Sequence, residues 1–148
     1  MSNNWCVFAI QRLGDYESRL TSLENLTEQI KSFEDRLTSI RSATTDSTPV
    51  QGGNENKREQ MLISNISMRD ELKNNLEYVQ KEISITEKGL AVLTKAEREV
   101  LHRFYINRTK GYIQRLCDDL FISQAEVYRI KDIALKKFTM ACYGIVEL

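Results

Sequence analysis

Leu23, Leu26, Ile30, Phe33, Leu37 and Ile40 recur at alternating spacings of three and four, and every residue between them is polar. That period belongs to a helix and not to the two-residue period of a strand. It predicts one helix from about Asp15 to Arg41, roughly 40 Å long at 1.5 Å per residue. A narrow apolar stripe of that length is the seam of a coiled coil and has to lie against another helix.

The chain carries a matching stripe. Leu62, Ile66, Leu72, Leu76, Val79, Ile83, Leu90 and Leu93 resume the same spacing, interrupted by Arg69 and Thr86. Between the stripes, residues 42–56 read as a loop, with the only proline, Pro49, and the pair Gly52-Gly53. An antiparallel helical hairpin is the simplest arrangement. The stripes pair equally well between two chains, as a homodimer through the N-terminal helices, and periodicity does not separate the two. Ahead of them Trp5, Val7, Phe8 and Ile10 form an apolar cluster before Gly14, either a helical lead-in or a segment that docks elsewhere. Gly89 weakens the second helix by about 1 kcal/mol relative to alanine.

A new pattern starts at Thr94-Lys95-Ala96-Glu97, a capping box that opens a helix through about Tyr105. Its apolar positions are Val100, Leu101, Phe104 and Tyr105. After a turn over Ile106–Gly111, Tyr112 to Leu120 and Gln124 to about Met140 read as two helices joined by a tight turn. Ser123 and Glu126 supply a second capping box. Leu116, Leu120, Ile122, Val127 and Ile130 fall where two crossing helices meet, which leaves Gln124, Ala125, Tyr128 and Arg129 on the outer face. That is the pattern of a helix-turn-helix whose second helix enters the major groove. The apolar tail, residues 141–148, can fold back on the core. The expected fold class is all-α: a long antiparallel hairpin over 1–93 and a helix-turn-helix unit over 94–148.

With 41% hydrophobic and 28% charged residues and no apolar run near the ~20 residues of a membrane span, the chain reads as globular. The start, Met1-Ser2-Asn3-Asn4, lacks the basic and apolar regions of a signal peptide. Cys6, Cys117 and Cys142 are far apart and fit reduced cytosolic thiols without metal-ligand spacing. Residues 1–93 hold 11 Lys+Arg against 14 Asp+Glu, and residues 94–148 hold 10 against 7, so the C-terminal third is the basic part. A mildly positive surface suits a phosphate backbone, with modest affinity per unit. No phosphate-cradling glycine loop, Ser/His/Asp set or Cys/His cluster is present, so no enzyme activity, cofactor or metal is expected. His102, Cys117 and Asp118-Asp119 read as surface or packing residues, and Lys136 and Lys137 as a solvated helix end.

Leu93-Thr94-Lys95-Ala96-Glu97-Arg98-Glu99-Val100-Leu101, then Ile113 through Leu120, then Ile122 through Phe138 resemble, in order and spacing, region four of bacterial sigma factors, the part that reads an upstream promoter element. With the coiled helices and the Pro-Gly-Gly loop before it, the whole chain resembles the small sigma-like, ArpU-like late-gene regulators of phages and prophages. No aromatic-rich basic helix for melted promoter DNA precedes it, so the resemblance does not extend to a complete sigma factor.

The resemblance implies a DNA-binding transcription regulator, an activator of phage or prophage late genes in the cytoplasm of a bacterial host. Double-stranded DNA is the implied partner and host RNA polymerase a further one. The DNA-reading positions fall on Gln124, Ala125, Tyr128 and Arg129, beside the helix cap Ser123. Sigma factors commonly carry Arg and Glu at the first two, so their target sequence does not transfer. Gln124 suits adenine, Arg129 suits guanine or phosphate, and the Ala125 methyl suits thymine. Lys110, Arg115, Lys131 and Lys136 are candidates for phosphate contacts, which position without specifying. Two other readings stand beside this one: a DNA-packaging protein like a terminase small subunit, and a sigma mimic that binds polymerase without DNA.

Overall fold

Five α-helices make up the regular structure of residues 4–46 and 54–147, the residues described by the computed structural model. They are α1 (Cys6–Asp46), α2 (Asn54–Ala91), α3 (Lys95–Leu101), α4 (Tyr112–Leu120) and α5 (Gln124–Tyr143), with a π-helical turn, His102–Ile106, continuing α3. The all-α class expected from the periodicity is the observed one. Among the described residues no helix is long and apolar enough to cross a membrane.

The two stripes are the inward faces of α1 and α2. Ile30 and Leu37 are buried, and Leu23, Leu26, Phe33 and Ile40 half-buried. On α2 the breaks in the stripe turn inward as well. Thr86 is fully buried, and its hydroxyl donates to the Glu82 carbonyl at 3.0 Å. The helix itself supplies the partner that a buried hydroxyl needs.

The chain forms two compact units, Thr21–Gln80 and Met1–Leu20 with Lys81–Leu148. The division differs from the expected 1–93 and 94–148, because the start of α1 and the end of α2 pack with the C-terminal helices. Within Thr21–Gln80, Lys73 meets Glu34 at 3.2 Å, and Asp35, Ser39 and Ile40 share a shallow pocket with Met61 and Asn65. Within the other unit Arg12 and Arg19 reach Glu82 at 2.6 and 3.6 Å, and the Tyr16 hydroxyl donates to Glu87 at 3.0 Å. Within Thr21–Gln80 the pairing runs antiparallel, later residues of α1 meeting earlier residues of α2.

Three expected boundaries move. Helix α1 begins at Cys6 and not near Asp15, because Ala9 and Leu13 continue its apolar face and are completely buried. Gly14 interrupts nothing there. At the other end α1 runs through Asp46 and α2 starts at Asn54, so the loop expected over 42–56 is shorter. Its remaining part, residues 47–53, lies outside the described residues. Helix α5 reaches Tyr143 and ends on Gly144, whose φ of +78° is the left-handed conformation that glycine closes a helix with.

Beyond Gly144 the tail meets the start of the chain. The Trp5 amide donates to the Val146 carbonyl at 2.9 Å, Asn4 and Glu147 form an isolated antiparallel bridge, and the Trp5 ring lies 5.3 Å from that of Tyr143. The N-terminal apolar cluster is therefore both a helical lead-in and a docked segment.

Candidate functional site

The larger unit holds two adjoining cores. Ala9, Leu13, Leu93, Leu101, Ala134, Leu135 and Phe138 form one, which fastens α1 and α3 to the second half of α5. Val100, Phe104, Leu116 and Val127 form the other, flanked by Ile113, Leu120, Ile122 and Ile130, so all five residues expected where the helices cross, Leu116, Leu120, Ile122, Val127 and Ile130, lie in it. This second cluster holds α4 and the first half of α5 together.

Three devices fix the local geometry. The capping box at α3 is complete: the Glu97 amide donates to Thr94 Oγ1 at 3.2 Å and the Thr94 amide to Glu97 Oε1 at 2.9 Å. Glu97 is itself buried and takes an ion pair from Lys137 at 2.9 Å, so Lys137 ties α5 to α3 rather than sitting as a solvated helix end. Burial works against the ionised carboxylate, but the Thr94 amide and Lys137 outweigh it and hold the Glu97 carboxyl below its usual range. Arg103, on the π-helical turn, bridges Glu99 at 2.7 Å and Asp119 at 2.6 Å, so Asp119 links that turn to α4.

The third device is the turn Phe121-Ile122-Ser123 between α4 and α5. Phe121 takes a left-handed φ of +57°, and the Ile122 amide donates to the Cys117 carbonyl at 3.2 Å. Ser123 then caps α5, its Oγ accepting from the Glu126 amide at 3.2 Å. Only half of the expected second capping box forms. Glu126 does not reach back to Ser123; its carboxylate accepts from two guanidinium nitrogens of Arg129, Nε at 2.8 Å and Nη2. A two-pronged charge-assisted pair outcompetes a single amide donor. The same hydrogen bond keeps the Glu126 carboxyl below its usual range.

Gln124 and Ala125 are exposed in the first turn of α5, and Tyr128 and Arg129 are exposed one turn on, so the four share one arc of the helix. Tyr128 also leans edge-on to Phe104, 5.9 Å between ring centres, which sets its orientation. Lys131 is mostly withdrawn: its side chain is 21% exposed, paired with Asp132 at 2.8 Å, and its ammonium lies 5.9 Å above the Phe104 ring. It is less available to a phosphate than its sequence position suggests. Lys110, before α4, and Arg115, on α4, are exposed and carry no ion pair among the described residues. Sequence reasoning left out two residues of this surface. Arg108 stacks over Tyr112 at 4.5 Å and donates to its hydroxyl. Phe121 is 92% exposed at the head of α5.

The exposed arc thus carries an amide, a methyl, a phenol and a guanidinium, on a helix whose opposite side is locked in a core. No curated protein and no solved structure shows a significant match to the chain. Residues 38–139, from late α1 through nearly all of α5, match the protein family described as "Protein of unknown function (DUF1492)". The match spans most of the chain, which therefore belongs to the DUF1492 family.

Proposed function

We propose that the protein is a sequence-specific DNA-binding regulator of transcription, an activator of phage or prophage late genes acting in the bacterial cytoplasm, with α4, the turn and α5 as its helix-turn-helix. One observation carries this reading: Gln124, Ala125, Tyr128 and Arg129 form an exposed arc at the start of α5, while Val127 on the other side is completely buried against Val100, Phe104 and Leu116. The helix is anchored on one side and chemically informative on the other, as a recognition helix in the major groove has to be. Lys110 before α4 and Arg115 on α4 are exposed, carry no ion pair among the described residues, and would serve phosphates. The resemblance of residues 93–138 to sigma region four supports the same assignment, and with it host RNA polymerase as a second partner.

Selection of duplexes from a random-sequence pool by the full chain, followed by genome-wide mapping of bound sites in the host, tests the proposal. The expected result is one recurring motif, occupied upstream of late genes. Occupancy confined to a packaging site assigns the protein to DNA packaging instead. A pool that returns no preferred sequence overturns the reading.

A further inference from the structure

Three described residues have a positive φ, and two of them are glycines, Gly111 at +72° and Gly144 at +78°. The third is Phe121 at +57°. Glycine adopts this conformation freely, whereas a side chain meets the backbone there. At 92% exposed, the Phe121 ring also gains almost no burial in return. Its neighbour Ile122, by contrast, packs against the Val100–Phe104 core. The left-handed backbone closes α4, the Phe121 and Ile122 amides both donating to the Cys117 carbonyl, but the ring gains nothing from it: a glycine or asparagine would end the helix at less cost, so a solvated phenyl ring at this residue points to a role outside the folded chain.

The position says which role. Phe121 stands two residues before Ser123, the cap of α5, and three residues of chain place its Cα within about 10 Å of that of Gln124. That is about three base-pair steps at ~3.4 Å each. The major groove of a duplex offers one apolar group to such a ring, the C5-methyl of thymine. We propose that Phe121 is a specificity-determining residue that lies against a thymine methyl within about three base pairs of the base read by Gln124. The proposal rests on the DNA-binding reading above.

The test uses the duplex best recovered from a random-sequence pool by the full chain, with each thymine replaced in turn by uracil, which removes only the methyl. The wild-type protein should lose about four-fold in affinity at one thymine in that window, the worth of one buried methyl. Phe121→Gly should bind the parent duplex about four-fold more weakly and show no further loss at that thymine. It should keep its sensitivity at any thymine opposite Ala125 and melt at a higher temperature than wild type. Phe121→Asn, also tolerant of a left-handed φ, should reproduce the binding result should the glycine variant fold poorly. Unchanged affinity and an unchanged uracil profile in both variants would overturn the proposal and leave the DNA-binding reading standing. An equal loss on all duplexes, with or without a thymine in the window, would also overturn it. A wild-type protein that recovers no preferred duplex removes the DNA-binding reading and this inference together.

Discussion

Gly89 of α2 lies so close to Phe138 of α5 that a Cβ on it would stand 2.7 Å from the ring Cε2, and equally 2.7 Å from the Cys142 sulfur. Real Cβ atoms do not approach that closely. Viewed along α2 alone, this glycine is a weak point; viewed across the packed helices, it is the gap that admits a phenyl ring. Gly89→Ala is therefore expected to destabilise the protein by about 1–3 kcal/mol, the cost of overpacking. Alanine's advantage in an isolated helix, about 1 kcal/mol, has the opposite sign. A chemical-denaturation midpoint that moves upward in the variant would show that the helices separate to make room.

Glu82 is clasped between Arg12 at 2.6 Å and Arg19 at 3.6 Å, with side chains only 11–19% exposed, and Arg12 also donates to the Tyr143 hydroxyl at 3.0 Å. This network ties α1, α2 and α5 together. Glu82→Leu leaves Arg12 with no carboxylate and Arg19 with only Asp15 at 3.7 Å, and should cost about 3 kcal/mol. Thermal melting reads the loss, and Tyr143→Phe, which removes one acceptor only, should cost clearly less.

Acid should act through Glu97. Folding lowers the pKa of this buried carboxyl, so the group adds stability above the ordinary carboxylate range near ~4.3, and that stability is lost as the pH falls through the lowered folded value. Glu97→Gln should be less stable than wild type at neutral pH and flatter in its pH profile between about pH 5 and pH 3. Parallel wild-type and variant curves across that interval would refute the assignment.

Arg129 is held by Glu126, so under the proposed DNA-binding function Glu126 would compete with DNA for it. Arg129→Ala should weaken binding to the preferred duplex by about 5- to 150-fold, the usual worth of a base-edge arginine. Glu126→Gln should instead tighten binding, since it frees the guanidinium and removes a negative charge from the surface. Fluorescence anisotropy on both single variants and the double variant measures the coupling; the Glu126 effect should vanish once Arg129 is gone.

Burial pushes the Cys142 thiol up to about 11, so it stays protonated and unreactive near neutral pH. Mass spectrometry after brief alkylation should find Cys142 unmodified in the native protein and modified in urea.

Much of the molecule is legible from neighbours in the chain. The stripes from Leu23 to Ile40 and from Leu62 to Leu93 do face inward, and Thr94 and Glu97 do form a capping box. The second box was misread because Ser123 and Glu126 have the right spacing, while the residue that captures Glu126, Arg129, is equally near and more strongly attractive. Phe121 escaped notice because nothing in a run of letters marks a left-handed backbone at a phenylalanine.

Periodicity and capping are local: each involves residues three or four apart, and the sequence alone therefore determined the helices, their inward faces and the order of the C-terminal elements. What tertiary structure decided depends on residues far apart in the chain. Trp5 packing on Tyr143 converts an ambiguous N-terminal cluster into the first turns of α1. Phe138 against Gly89 turns an apparent weakness into a close helix contact, and Lys137 on Glu97 turns a surface lysine into a tie between helices. Local rules assign a residue its face of a helix, but only the packed chain assigns it a partner, because burial and charge pairing act between surfaces that folding brings together.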